Sequence, residues 1–229
     1  SKEVGLDDLD EDILDGASAE MRLDNVDGRY ELDDKKDIEK ELDKIEEDYD
    51  IRIQQALKKL KEDAATFLSP EGLKTYGPKL LHVLENITDT DHEGLHLFYS
   101  QFRTIEGIGV FKLVLEQNGF AEFKLKKNSA DKWIVDIKEE DQGKPTFVLY
   151  TGTETVEQKE IIRKVFNGMW DDIPQTVREY VLKSAVNNNM GEIIKLFMIT
   201  ASGAEGISLK NVRYVHILEP YWHPVRVEQ

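Results

Sequence analysis

The sequence predicts an α/β fold, a mainly parallel sheet flanked by helices, with a β-hairpin insertion and an acidic, helical N-terminal extension. Two observations carry this. From about residue 71 onward, short apolar runs alternate with amphipathic stretches, as they do when strands and helices take turns around one sheet. Before that point the texture differs, with a run of acids followed by one long apolar stripe.

Residues 1–34 are crowded with Asp and Glu and poor in aromatics, which reads as a flexible acidic linker. From 35 to 70, Ile38, Leu42, Ile45, Tyr49, Ile53, Leu57, Leu60, Ala64 and Phe67 recur at steps of three and four, giving one stripe on a long amphipathic helix. A helical arm lying on a neighbouring domain and a coiled-coil seam both fit; Tyr49 and Ala64 favour the arm. The net charge is −16, and residues 1–62 hold 22 acids against 11 bases. Such a balance argues against a domain that clamps nucleic acid by itself, because phosphate binding needs Lys and Arg to displace counterions.

Residues 71–229 form the predicted domain. The segment 78–87 (PKLLHVLENI) reads as a helix, 96–102 (HLFYSQF) as a buried strand, and 105–118 as a helix that Gly119 closes. Strands follow at 146–150, 194–200 and 214–218, with a helix at 156–166. Two segments interrupt the alternation. The first, 120–145, holds two period-two stretches around Asn128–Asp131 and reads as an inserted β-hairpin; the second, 167–191, holds Trp170, Pro174 and a helix over 175–186. Trp133 and Trp170 are expected to pack inside.

The chain has no cysteine, which removes disulfides, thiolate zinc sites and cysteine nucleophiles. Five scattered histidines argue against a metal site. No apolar run approaches the roughly 20 residues that a bilayer span requires, and no membrane partner is expected.

The sharpest local signal is TASGAEGISL at 200–209, small residues, glycines and hydroxyls directly after an apolar strand. Glycine lets backbone approach a phosphate, and Thr200, Ser202 and Ser208 can donate to an anion. The same loop reads equally well as a tight strand-to-helix connection with no ligand.

The order of segments resembles the C-terminal, RecA-like half of superfamily-two helicases, Swi/Snf-like and closest to those of large DNA viruses of the pox-, asfar- and mimivirus kind. YGPKLLHVLENI resembles the entry helix, HLFYSQF motif IV, LYTGTETVEQKEIIRKVFN the strand, Thr-Gly loop and helix that follow, and FMITASGAEGISL motif V. VHILEPYWHPVRVEQ resembles the stretch that leads to motif VI, whose first residue would be Gln229. The resemblance implies contacts to the nucleic-acid backbone from Thr200 and Gly203, from Thr151 and Gly152, and from Ser100 and Gln101. It implies that Gly206, Ser208 and Gln229 approach an ATP cleft, although Ser208 stands where many helicases carry an acid or asparagine. Trp222 and His223 match the link between motifs V and VI.

No P-loop, no acidic Walker B tetrapeptide and no arginine motif occurs, so no residue of this chain is expected to be catalytic and the chain alone is expected neither to bind nor to hydrolyse ATP. ATP and Mg²⁺ belong to a longer parent, with a missing N-terminal RecA-like domain, DNA or RNA, and viral transcription machinery as implied partners and the host cytoplasm or a virion as implied location. The rival reading is a non-catalytic interaction module with a helicase-like fold in a transcription or replication complex.

Overall fold

A computed structural model describes residues 51–102, 107–152, 154–204 and 206–219. The linker, the first half of the arm, Trp222, His223 and Gln229 lie outside them. Helix α1 covers residues 51–62, and α2 (Ala64–Phe67), α3 (Pro70–Tyr76) and α4 (Pro78–Thr88) follow in tight succession. Then come β1 (Leu95–Ser100), α5 (Ile108–Gln117), β2 (Ala121–Glu122), β3 (Lys124–Lys127), β4 (Trp133–Asp136) and β5 (Thr146–Tyr150). The chain continues through α6 (Val156–Phe166), α7 (Gln175–Ser184), β6 (Leu196–Thr200), α8 (Ala201–Ala204) and β7 (Val212–Ile217).

Five strands form one sheet in the order β2-β5-β6-β1-β7, and every neighbouring pair is parallel. Strands covered on both faces need apolar side chains on both, which explains their continuous apolar runs. Alternate residues divide accordingly. Phe98, Phe147, Leu196 and Met198 face a layer of α1 and α3–α5, whereas Val148, Phe197 and Ile199 face α6, α7 and the β3–β4 hairpin.

Two expectations change. Over the described part of the arm the helix breaks at Asp63, and Ile53 and Leu57 are buried in this domain's own core beside Leu73 and Leu84 rather than presented to a neighbour. Asn118, at the end of α5, donates to the carbonyl of Leu68 at 2.8 Å and so pins the arm's end to the sheet-covering layer. Leu60, Ala64 and Phe67 pack partly buried against the same cluster, so the described part of the stripe belongs to this core. Secondly, the segment 120–145 is not wholly an insertion. Ala121 and Glu122 pair with Thr146 and Phe147 as the edge strand β2, and Lys112, buried on α5, meets Glu122 at 2.7 Å. Two residues are too few for period-two patterning to reveal.

The remaining hairpin, β3–β4, turns at Asn128, whose Oδ1 accepts from the amides of Ala130 (2.9 Å) and Lys132 (3.0 Å). It packs on the second interruption, where the Thr176 hydroxyl donates to the Trp133 carbonyl. Trp133 and Trp170 are both buried, and the Trp170 indole donates to the Val165 carbonyl at 3.0 Å. Gly119 (φ +86°) turns the chain out of α5 in the left-handed region that only glycine enters freely.

Candidate nucleic-acid interface

Because β5, β6 and β1 are sheet neighbours, their carboxyl ends meet at one rim, and Ser100 and Thr200 are register partners. Open α/β sheets bind ligands outside the carboxyl ends of their strands. The rim therefore collects Ser100, Gln101, Thr151, Gly152, Thr200 and Gly203, which lie far apart in sequence.

The loops after β5 and β6 are joined by hydroxyls. Ser202 Oγ donates to the Thr151 carbonyl at 3.0 Å, and Thr200 Oγ1 lies 3.3 Å from that carbonyl and 2.9 Å from Ser202 Oγ. Thr200 is fully buried, so its side chain holds the rim together from beneath. Gly203 is a close-approach glycine: a Cβ there would stand 2.2 Å from the Tyr150 carbonyl oxygen. Gly152 has φ +102°, and a Cβ on it would come 3.1 Å from Ser202 Oγ.

With the Thr151 carbonyl held inward, the amides of Thr151 and Gly152 converge on an anion. That anion is Glu154. Its carboxylate accepts from the Thr151 amide (3.0 Å to Oε2, 3.2 Å to Oε1), from the Gly152 amide (3.0 Å) and from the Thr151 hydroxyl (3.1 Å). A second carboxylate acts similarly on β1. Glu219 Oε2 accepts from the Gln101 amide at 3.0 Å and lies 2.9 Å from the buried Ser100 Oγ.

Gly206 and Ser208 do not share this rim, because beyond α8 the chain runs back toward the amino end of the sheet, where β7 begins. Gly206 takes φ +71° with nothing within 4 Å of a built Cβ, and Ser208 is exposed. Asn167, at the end of α6, clamps this stretch, donating to the Ser208 carbonyl at 2.9 Å and accepting from the Lys210 amide at 2.8 Å. On α6, the hydrogen bond from Arg163 holds the Glu160 carboxyl below its ordinary range, while Lys159 lies 5.4 Å above the Tyr150 ring. Among the described residues no group of three or more His, Cys, Asp or Glu could hold a metal ion. No described helix is long and apolar enough to cross a membrane.

The sequence points to Ser100, Gln101, Thr151, Gly152, Thr200, Ser202 and Gly203 as candidates, but not to Glu154 or Glu219. Single acids are inconspicuous in a chain so rich in them, and only the strand order brings them to the rim.

A five-stranded parallel sheet flanked by helices, with a separate antiparallel hairpin, is an α/β RecA-like fold. Comparison with known proteins names the homologues. The "Termination factor NPH-I homolog" of African swine fever virus (isolate Pig/Kenya/KEN-50/1950) is 30% identical over 193 residues, which cover 79% of this chain and 25% of that protein. Two Acanthamoeba polyphaga mimivirus proteins, each named "Putative ATP-dependent RNA helicase", are 28% identical over 157 residues (69% of this chain, 22% of the relative) and 29% identical over 136 residues (59% and 13%). The chain thus spans about a quarter or less of the length of these relatives. No family model matches it, and no solved structure matches it significantly.

Proposed function

We propose that this chain is the second motor domain of an ATP-dependent nucleic-acid helicase or translocase, gripping the nucleic-acid backbone and helping to close an ATP cleft. The observation that carries this reading is the hydroxyl junction at the rim, where Thr200 and Ser202 bind the Thr151 carbonyl and make the two loops one unit. Phosphate contacts need donors rather than base-reading groups. The Thr151 and Gly152 amides, the Thr151 hydroxyl and, beside them, the Gln101 amide supply such donors. Thr200 and Gly203 act from below, one by holding the junction and the other by allowing the close approach to β5.

Gly206, Ser208 and Gln229 would face ATP bound mainly by a preceding RecA-like domain, which would also supply the Mg²⁺ ligands. Closure of the two domains on ATP, followed by release after hydrolysis, moves the rim along one strand. The relatives named as termination factors support a place beside viral transcription machinery, in host cytoplasm or virion. The test is ATP hydrolysis by the longer parent with and without single-stranded DNA or RNA. Stimulation by nucleic acid that Thr200→Ala reduces at least about tenfold supports the motor. Hydrolysis indifferent to nucleic acid would instead favour an interaction module.

A further inference from the structure

We propose that Glu154 is a displaceable occupant of the Thr151–Gly152 anion nest, a specificity-determining acid that a backbone phosphate must evict before the loop can grip. This rests on the reading above that the loop contacts the nucleic-acid backbone.

The carboxylate is held entirely by neutral donors. Four contacts of 3.0–3.2 Å reach it from two amides and one hydroxyl. Among the described residues no Lys, Arg or His forms an ion pair with it. A phosphodiester carries the same single charge and offers two acceptor oxygens with similar spread, so it satisfies the same donors.

Nothing else requires Glu154 to stay. The N-terminus of α6 is closed separately by a capping box: Thr155 Oγ1 accepts from the Gln158 amide at 3.2 Å, and Gln158 Oε1 accepts from the Thr155 amide at 3.0 Å. The shape of the nest does not depend on Glu154 either, since the Thr151 carbonyl is fixed from behind by Ser202 and Thr200. Gly152 is exposed, so an incoming strand reaches its amide directly.

The consequence is discrimination. Once displaced, the carboxylate remains nearby and repels the phosphate that replaced it. A free anion gains too little from three donors to overcome this. A phosphate delivered by a strand that is anchored elsewhere on the rim arrives at high effective concentration and wins. Glu154 therefore raises the threshold for gripping and makes it depend on engagement of the whole rim.

The experiment is fluorescence anisotropy of the intact chain with 5′-fluorescein-labelled (dT)20 and (U)20 across a salt series. Wild type is compared with Glu154→Gln, Glu154→Ala, Gly152→Ala and Glu157→Gln. Glu157 is exposed in the first turn of α6, so its substitution removes one charge nearby without touching the nest. Both Glu154 variants are expected to tighten binding about fivefold, against less than about twofold for Glu157→Gln, whose effect is only long-range. If the Glu154 variants bind no tighter than Glu157→Gln while Gly152→Ala still weakens binding, the nest grips but Glu154 does not compete, and the proposal alone falls. If no variant binds either strand, or Gly152→Ala changes nothing, the backbone-contact reading falls with it. Melting of each variant by circular dichroism verifies the fold, and Glu154→Gln keeps the local shape should Glu154→Ala lose it.

Discussion

The two ends of the sheet use similar polar groups in opposite ways. At the carboxyl rim, amides and hydroxyls are held by carboxylates on loops that a ligand can reach. At the amino end, buried polar groups are satisfied by neighbouring backbone and, at His96, by a second imidazole. Asn188, 1% exposed, donates to the Phe166 and Ile194 carbonyls (3.0 and 3.1 Å) and accepts from the Ile193 and Ile194 amides (2.8 and 2.9 Å). His96, at the start of β1, is fully buried, with Nδ1 2.9 Å from His216 Nε2 and Nε2 3.1 Å from the His92 carbonyl. A neutral imidazole has one proton, so the tautomer that satisfies both contacts carries it on Nε2 and accepts from His216. Access to solvent, rather than residue type, separates a group that binds from one that only holds.

If that contrast is right, damage at the closed end costs stability and damage at the rim costs binding. The largest effect is expected for Asn188→Ala, which strands four buried backbone groups and should destabilise the chain by about 3 kcal/mol in urea unfolding. Loss of under about 1 kcal/mol would mean that this end is wetter than it looks. Acid comes next. Burial pushes the His96 pKa down to about 4 from an ordinary 6.5, with the neighbouring His216, itself lowered by burial, adding to the shift. The unfolded chain therefore takes up this proton first, and stability present above pH 6.5 is lost as pH falls toward 4. The expected loss is at most about 3 kcal/mol, read from urea midpoints, and His96→Gln should flatten that part of the profile.

The smallest stability effect is expected at the rim. Thr200→Val removes one hydroxyl while Ser202 keeps the Thr151 carbonyl bonded, so unfolding should shift by only about 1 kcal/mol. Oligonucleotide affinity or nucleic-acid-stimulated hydrolysis should fall more than that shift explains. Equal losses in both would erase the distinction between the two ends.

The sheet was readable because buried parallel strands are apolar on both faces: Thr146–Tyr150 and the helix Val156–Phe166 begin and end where their patterns do. The edge strand Ala121–Glu122 was not, since two residues carry no period and its place depends on pairing with Phe147. The stripe through Ile53 and Leu57 announced a helix but not which surface covers it. Half of the rim was legible from hydroxyls and glycines after apolar runs. Glu154 and Glu219 were not, because their roles come from what the fold sets beside them. Asn188 stands between Asn187 and Asn189, and nothing local marks it as the buried one.

The two interruptions of the alternation, though separate in sequence, form one lobe on one face of the sheet. Thr176 donates to the Trp133 carbonyl, the Tyr180 hydroxyl meets Gln142 at 3.4 Å, and Phe123, Leu125, Ile173 and Val177 share one core. Neither can be deleted without uncovering the other's apolar side. They pack as a pair, and a designer who trims or transplants them must move both together.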